Sequence, residues 1–311
     1  MLMRTILLYL SRSKTARRVL TRLPGAKRIS KRFVAGETLQ DGINTVRALN
    51  EKGIIATLDH LGENVYTEQD AARATQAYLE LLDALATAKV NSNASLKLTA
   101  LGLDVSEHLC FDNIRCIVER AAKLNNFIRI DMESSDYTDK TLNIFRRLRE
   151  ECGFRNVGVV IQSYLRRSEA DVAKLAAEGA NIRLCKGAYN EPPHLAFPDK
   201  ADVDANYVKL AQMYLSEAAR ANGAYIGVAT HDDNMINAVK AYAKEHHIPK
   251  DAFEFQMLYG VRPGAQQQLV EEGYKMRVYI PYGTEWYPYY MRRLAERPAN
   301  VWFIVKNMFR A

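Results

Sequence analysis

The 311 residues are 48% hydrophobic and 25% charged, which is ordinary for a soluble globular chain. The formal charge of +7 is not spread evenly: residues 1–36 carry ten Lys and Arg and no Asp or Glu, while the remaining 33 basic and 36 acidic residues net −3. A slightly acidic body excludes nucleic acid as the expected partner, and four cysteines without a CxxC pair exclude a zinc site or disulfide framework.

The chain opens with the basic arm, residues 1–36, in which a short apolar run (Ile6 to Leu10) is mixed with arginines at helical spacing. The run is too short to span a bilayer, and no cleavage-site pattern follows it at the expected distance. Two readings stay open: a basic amphipathic helix for an anionic membrane surface, or a helix packed on the body with a solvated basic face. An organellar transit peptide has a similar composition.

Residues 37–311 are expected to form one catalytic domain. A helix is predicted over Glu37–Lys52, ended by Gly53. Then short runs rich in Ile, Val and Leu alternate with longer amphipathic segments. The runs are Ile54–Leu58, Ala94–Thr99, Phe127–Met132, Val157–Gln162, Asn181–Lys186, Tyr225–Thr230, Phe253–Leu258 and Met276–Ile280. Helical segments between them include Glu68–Ala88, Asp139–Glu151, Glu169–Glu178, Val203–Ala221, Asp233–Glu245 and Ala265–Glu272, several ending at a glycine such as Gly179. Thr284 is placed to cap a last helix. Eight strand–helix units in this order predict a (β/α)8 barrel of TIM type, and the absence of GxGxxG after the first strand argues against a dinucleotide-binding open sheet.

Chemistry in such a barrel gathers at the C-terminal ends of the strands. Those ends hold Asp59 and His60, Lys97, Asp131 and Glu133, Gln162 and Ser163, Arg183 and Lys186, Thr230 to Asp232, Gln256 to Tyr259, and Tyr279. Each alone reads as a loop-holding ion pair or a satisfied hydrogen-bonder, and Lys97 with Asp131 is one candidate pair. Together they are too many polar groups to bury without a use. Adjacent Asp59 and His60 point to opposite faces, so a clustered metal site is not expected. A Schiff-base aldolase would use Lys97 or Lys186 as nucleophile. A large cofactor across strands 3 to 6 would use the whole wall, with the turn at 186–188 admitting a phosphate. Arg292 and Arg293, among tyrosines and a tryptophan, read either as a solvated basic helix face or as a bidentate receptor for a small carboxylic acid.

The strings LDHLGE (58–63), SLKLTALG (95–102), IDME (130–133), IQSYL (161–165), IRLCKGAY (182–189), ATHD (229–232), FQMLYG (255–260) and YIPYG…MRRLAERPAN (279–300) occur in one order. On these the chain resembles the flavin-dependent proline dehydrogenases, in particular the short monofunctional bacterial form. The resemblance implies non-covalent FAD, oxidation of L-proline to 1-pyrroline-5-carboxylate by hydride transfer, and electrons passed to a membrane quinone. It further implies a cytoplasmic protein, peripheral on the inner face of the membrane, with the product consumed by a separate pyrroline-5-carboxylate dehydrogenase.

By the same resemblance Arg292 and Arg293 grip the proline carboxylate, and Lys97, Leu258 and Tyr279 complete the substrate pocket. Asp131 is an active-site carboxylate beside the substrate. Met132, Gln162, Arg183, Lys186, Gly187, Ala188, Thr230 and His231 contact the flavin, with Arg183 near its redox-active end. Glu63 pairs with the second arginine to close the site. To reach a substrate in the barrel mouth, the final helix must lie over the barrel. One departure is Asn190, which follows Tyr189 where the large bifunctional members carry tryptophan.

Overall fold

A computed structural model describes residues 32–296, without the side chains of Arg292, Leu294, Ala295 and Glu296; the predicted basic-arm helix up to residue 31 and the chain after residue 296 lie outside the described residues. Eight parallel strands close into a barrel in sequence order: β1 (Ile55–His60), β2 (Ser92–Leu96), β3 (Ile128–Ile130), β4 (Val157–Gln162), β5 (Asn181–Cys185), β6 (Tyr225–Ala229), β7 (Phe253–Leu258) and β8 (Lys275–Tyr282). The helices, in chain order, are α1 (Leu39–Asn50), α2 (Glu68–Ala88), α3 (Glu107–Lys123), α4 (Thr138–Glu150), α5 (Ser168–Ala177), α6 (Lys200–Leu215), α7 (Glu217–Ala221), α8 (Asp233–Glu245), α9 (Pro263–Glu271) and α10 (Trp286–Glu296).

Side chains alternate across each strand. Those on the outer face, such as Leu58, Leu96, Ile130, Val159, Leu184, Val228, Phe255 and Val278, are buried under the helices and supply the apolar core. The inner face is polar. Arg277 Nε and Nη2 donate to the two carboxylate oxygens of Glu254 at 2.6 and 3.1 Å, and its Nη1 donates to the Ala56 carbonyl at 2.7 Å. Arg129 Nη1 donates to the Asn181 and Val159 carbonyls at 2.7 and 3.0 Å. Burial, with Arg183 next, presses the Arg129 guanidinium below its ordinary range. Burial pushes the Glu254 carboxyl up, but Arg277 outweighs it and the net shift is downward. The barrel therefore holds buried charge, of which Arg277 and Glu254 form an ion pair, and removing one partner strands the other.

The ring of covering helices is completed from the front of the chain. α1 packs against both β1 and β8, the position left open because the chain after β8 runs on to α10. Thr38 caps α1, its hydroxyl accepting from the Asp41 amide at 3.1 Å while the Asp41 carboxylate accepts from the Thr38 amide at 3.0 Å. The segment before it is tied to the end of β8: the Ala35 amide donates to the Pro281 carbonyl and the Gly283 amide to the Gly36 carbonyl, each at 2.9 Å. Phe33 and Val34 are buried there.

Three local features differ from the periodic pattern. The segment expected as one helix over 203–221 is two, broken at Ser216, whose extended backbone and side-chain acceptance from the Ala219 amide restart the helix as α7. β2 and β3 end earlier than predicted, so Lys97 caps a short 3₁₀ turn (Leu98–Leu101) and Asp131 follows its strand directly. α3, capped by Ser106, fills the place between β2 and β3 for which the sequence reading named no helix.

Gly179 takes φ +60°, and a Cβ there would run into the Asn222 carbonyl, so both conformation and space require glycine. Gly179→Ala should lose more than about 1 kcal/mol of stability. A urea midpoint equal to that of the parent would contradict this.

Candidate active site

The C-terminal ends of the strands and α10 enclose a cavity of about 1000 Å³. At its floor stands Asp131, placed by the end of β3. Its Oδ1 accepts from Arg183 Nη1 and from Ser95 Oγ, each at 2.7 Å, and its Oδ2 accepts from the Tyr279 hydroxyl at 2.9 Å. Arg183, inward-facing on β5, also donates from Nε to Gln256 Oε1 at 2.5 Å, and its Cζ lies 5.1 Å from the centre of the Tyr279 ring. Burial first, then Asp131 and Asp59, drives the Tyr279 phenol far above its ordinary pKa, so it remains a proton donor.

Lys97 does not pair with Asp131 as the sequence suggested. Its Nζ reaches Asp59 on the neighbouring β1 at 3.4 Å, because Asp131 is already held by Arg183, Ser95 and Tyr279.

On the β5–β6 side Lys186 Nζ lies 2.5 Å from Asp204 and 2.7 Å from Asp232. Asp232 also accepts from the Asn234 amide at 3.1 Å, capping α8. The hydrogen bond from Lys186 is the main cause that brings its carboxyl down to about 2. Gly187 has φ +108°, and a Cβ there would enter the ring of Tyr164. His231 Nε2 accepts from the Leu258 amide at 2.9 Å, which leaves the proton of a neutral ring on Nδ1. Gln162 Oε1 is buried with no hydrogen-bond partner among the described residues.

Over the mouth, α10 brings Tyr289 and Arg293 to the same cavity, with Arg293 Cζ 5.2 Å from the Tyr289 ring centre. Phe33 braces the helix through Tyr290, ring centres 6.1 Å apart. The side chain of Arg292 lies outside the described residues.

Lys97, Asp131, Met132, Gln162, Arg183, Lys186, Gly187, Ala188, Thr230, His231, Leu258, Tyr279 and Arg293 thus line one cavity. Glu63 is not among its lining residues. It sits half-buried in the loop after β1, which is tied back by donation from the Asn64 amide to Thr99 Oγ1 (3.3 Å) and from the Val65 amide to the Thr99 carbonyl (3.2 Å). Sequence reading missed Ser95, Tyr289, Glu254 and Arg277. Strand alternation marks Glu254 with Gln256 and Arg277 with Tyr279, and helical spacing puts Tyr289 one turn before Arg293. Among the described residues no group of three His, Cys, Asp or Glu stands close enough to hold a metal ion, and no helix is long and apolar enough to cross a membrane.

Residues 42–306 match the family model described as proline dehydrogenase. The chain is similar to proline dehydrogenase 1 of Bacillus subtilis, 42% identical over 99% of this chain and 100% of that protein. It is also similar to proline dehydrogenase of Deinococcus radiodurans, 44% identical over 91% of this chain and 90% of that one. Among solved structures it resembles proline utilization A from Bdellovibrio bacteriovorus inactivated by N-propargylglycine, with TM-score 0.81 and 28% identity. That similarity covers 91% of this chain and spans about a third (34%) of the larger protein.

The Asp232 carboxyl is held below its ordinary 3.8, so its pairing stabilises the fold in full above that value and is lost as the pH falls toward about 2. Asp232→Asn should be less stable than the parent at neutral pH, by an amount that shrinks as the pH falls below 4. Denaturant titrations of both proteins across that range check it, and a pH-independent difference would count against the pairing.

Proposed function

The chain belongs to the proline dehydrogenase family, and we propose that its barrel mouth oxidises L-proline to 1-pyrroline-5-carboxylate with FAD as the bound cofactor. The observation that carries this reading is the pairing of opposed features across one cavity: the Arg183–Asp131–Tyr279 cluster on the floor and Arg293 on the overlying helix. The residues fit a flavin. The cavity is far larger than an amino acid needs, its wall carries the unpartnered acceptor Gln162 Oε1, and Arg183 and Lys186 supply positive charge. Met132, Gln162, Arg183, Lys186, Gly187, Ala188, Thr230 and His231 would hold FAD, which when bound supplies the acceptor for a hydride from C5 of proline.

The rest of the work falls to the protein. Arg292 and Arg293 hold the substrate carboxylate and so set the position of the opposite end of the ring. Leu258 and Tyr279 bound the ring, and Glu63 closes the site by pairing with Arg293. The proline amine must be neutral for its lone pair to assist bond breaking, and Lys97 and Asp131 govern that ionisation. Arg183, fixed by Asp131 and Gln256, opposes the negative charge that develops on its side of the site. The basic arm at the front of the chain contacts the anionic cytoplasmic face of the membrane, where a quinone takes the electrons; its last residues, Phe33 to Gly36, are packed on the catalytic barrel of 37–311. A Schiff-base lyase is the weaker reading, since both candidate amines, Lys97 and Lys186, are engaged with carboxylates.

Purified protein should be yellow, and anaerobic L-proline should bleach the flavin band; a colourless or proline-inert protein would overturn the reading. Arg292→Ala and Arg293→Ala should each raise KM for proline and cost about 2–4 kcal/mol of transition-state binding in kcat/KM. An unchanged KM would remove the carboxylate clamp.

A further inference from the structure

Arg183 spends most of its donors inside the protein. Nε goes to Gln256 Oε1 at 2.5 Å, and Nη1 to Asp131 at 2.7 Å and Ser95 at 3.3 Å. Nη2 has no hydrogen-bond partner among the described residues, and Arg183 lines the cavity. Which way Nη2 points is therefore decided by what grips the other two nitrogens.

The grip on Nε continues downward. Gln256 Nε2 donates to Glu254 Oε1 at 2.5 Å, and Glu254 is clamped by Arg277 at 2.6 and 3.1 Å. The orientation of the Gln256 amide follows from chemistry. A guanidinium offers no acceptor and a carboxylate no proton, so Oε1 must face Arg183 and Nε2 must face Glu254. Space for the amide comes from β6, which carries Gly227 opposite, where a Cβ would run into Gln256 Nε2. Glu254 and Gln256 are both at least nine-tenths buried, at 4% exposure each. A hydrogen bond to a buried carboxylate polarises the amide and strengthens its oxygen as an acceptor.

We propose that Gln256 is a positioning residue that passes the charge and geometry of the Glu254–Arg277 pair to Arg183, fixing the guanidinium with Nη2 toward the redox centre. This role rests on the function proposed above. It assigns the ion pair beneath the cavity, Glu254 with Arg277, to tuning the reaction at the mouth.

Gln256→Met keeps the length of the side chain and removes both hydrogen bonds. It should lower kcat on the order of ten- to a hundredfold, with KM for proline little changed, and move the bound flavin to a more negative reduction potential. In an Arg183→Lys background, which lacks Nε, the same substitution should add no further loss. A residue that only supports the fold predicts an equal loss in both backgrounds and an unmoved potential, and that result would overturn the proposal.

Gly227→Ala provides a second route, displacing the amide while leaving its chemistry intact. It should shift kcat and potential in the same direction and carries the test alone if Gln256→Met does not fold. A proline-reactive parent whose potential and kcat ignore both variants defeats this role alone. A parent that binds no flavin defeats the function proposed above and this role with it.

Discussion

A carboxylate withdrawn from water needs donors on each oxygen, and Asp131 obtains them from three strands at once. Ser95 comes from β2, Arg183 from β5 and Tyr279 from β8. That convergence is possible only inside a closed barrel, where strands far apart along the sheet face each other across the axis. It also fixes what surrounds it: a lysine that would otherwise pair with Asp131 turns to Asp59, and the tyrosine hydroxyl is committed as a donor. One charge placed at the end of a three-residue strand thus orders the whole floor of the cavity.

The second organising choice is the use of α10 as a roof. A helix laid over the mouth cannot also cover the side of the barrel, so the flank between β8 and β1 is covered instead by α1 from the other end of the chain. Roof and flank are joined, since the segment leading into α1 bonds to the end of β8 and Phe33 meets Tyr290. Arg293 reaches the site from a helix anchored by three large buried aromatic side chains, Trp286, Tyr287 and Tyr290.

Much of this was legible before any coordinates. The eight apolar runs correspond to the eight strands because each strand is covered by helices and needs continuous Ile, Val and Leu on its outer face. The polar strand ends pointed to a single face for the same geometric reason. What the sequence did not reveal was lateral pairing. Whether Lys97 meets Asp131 or Asp59 depends on the stagger of neighbouring strands, and no local pattern encodes it. Glu254, Arg129 and Arg277 were hidden in strands whose apolar neighbours dominate the pattern, although their parity places them inside. The break at Ser216 was invisible to periodicity, because α6 and α7 are separated by one residue that leaves the amphipathic rhythm nearly intact.

The placement of α1 carries a consequence for how the molecule assembles. α1 precedes every strand and has its apolar partner in β8, the last of them, so the β8–β1 seam is closed by contacts that span the whole barrel sequence. Local strand–helix units can form as the chain grows, but the loop joining the two halves of the seam spans nearly the whole barrel. Ring closure must therefore wait for β8: until it arrives, β1 has an open edge. The cavity mouth, which needs the roof that follows β8, comes into being in that same final step.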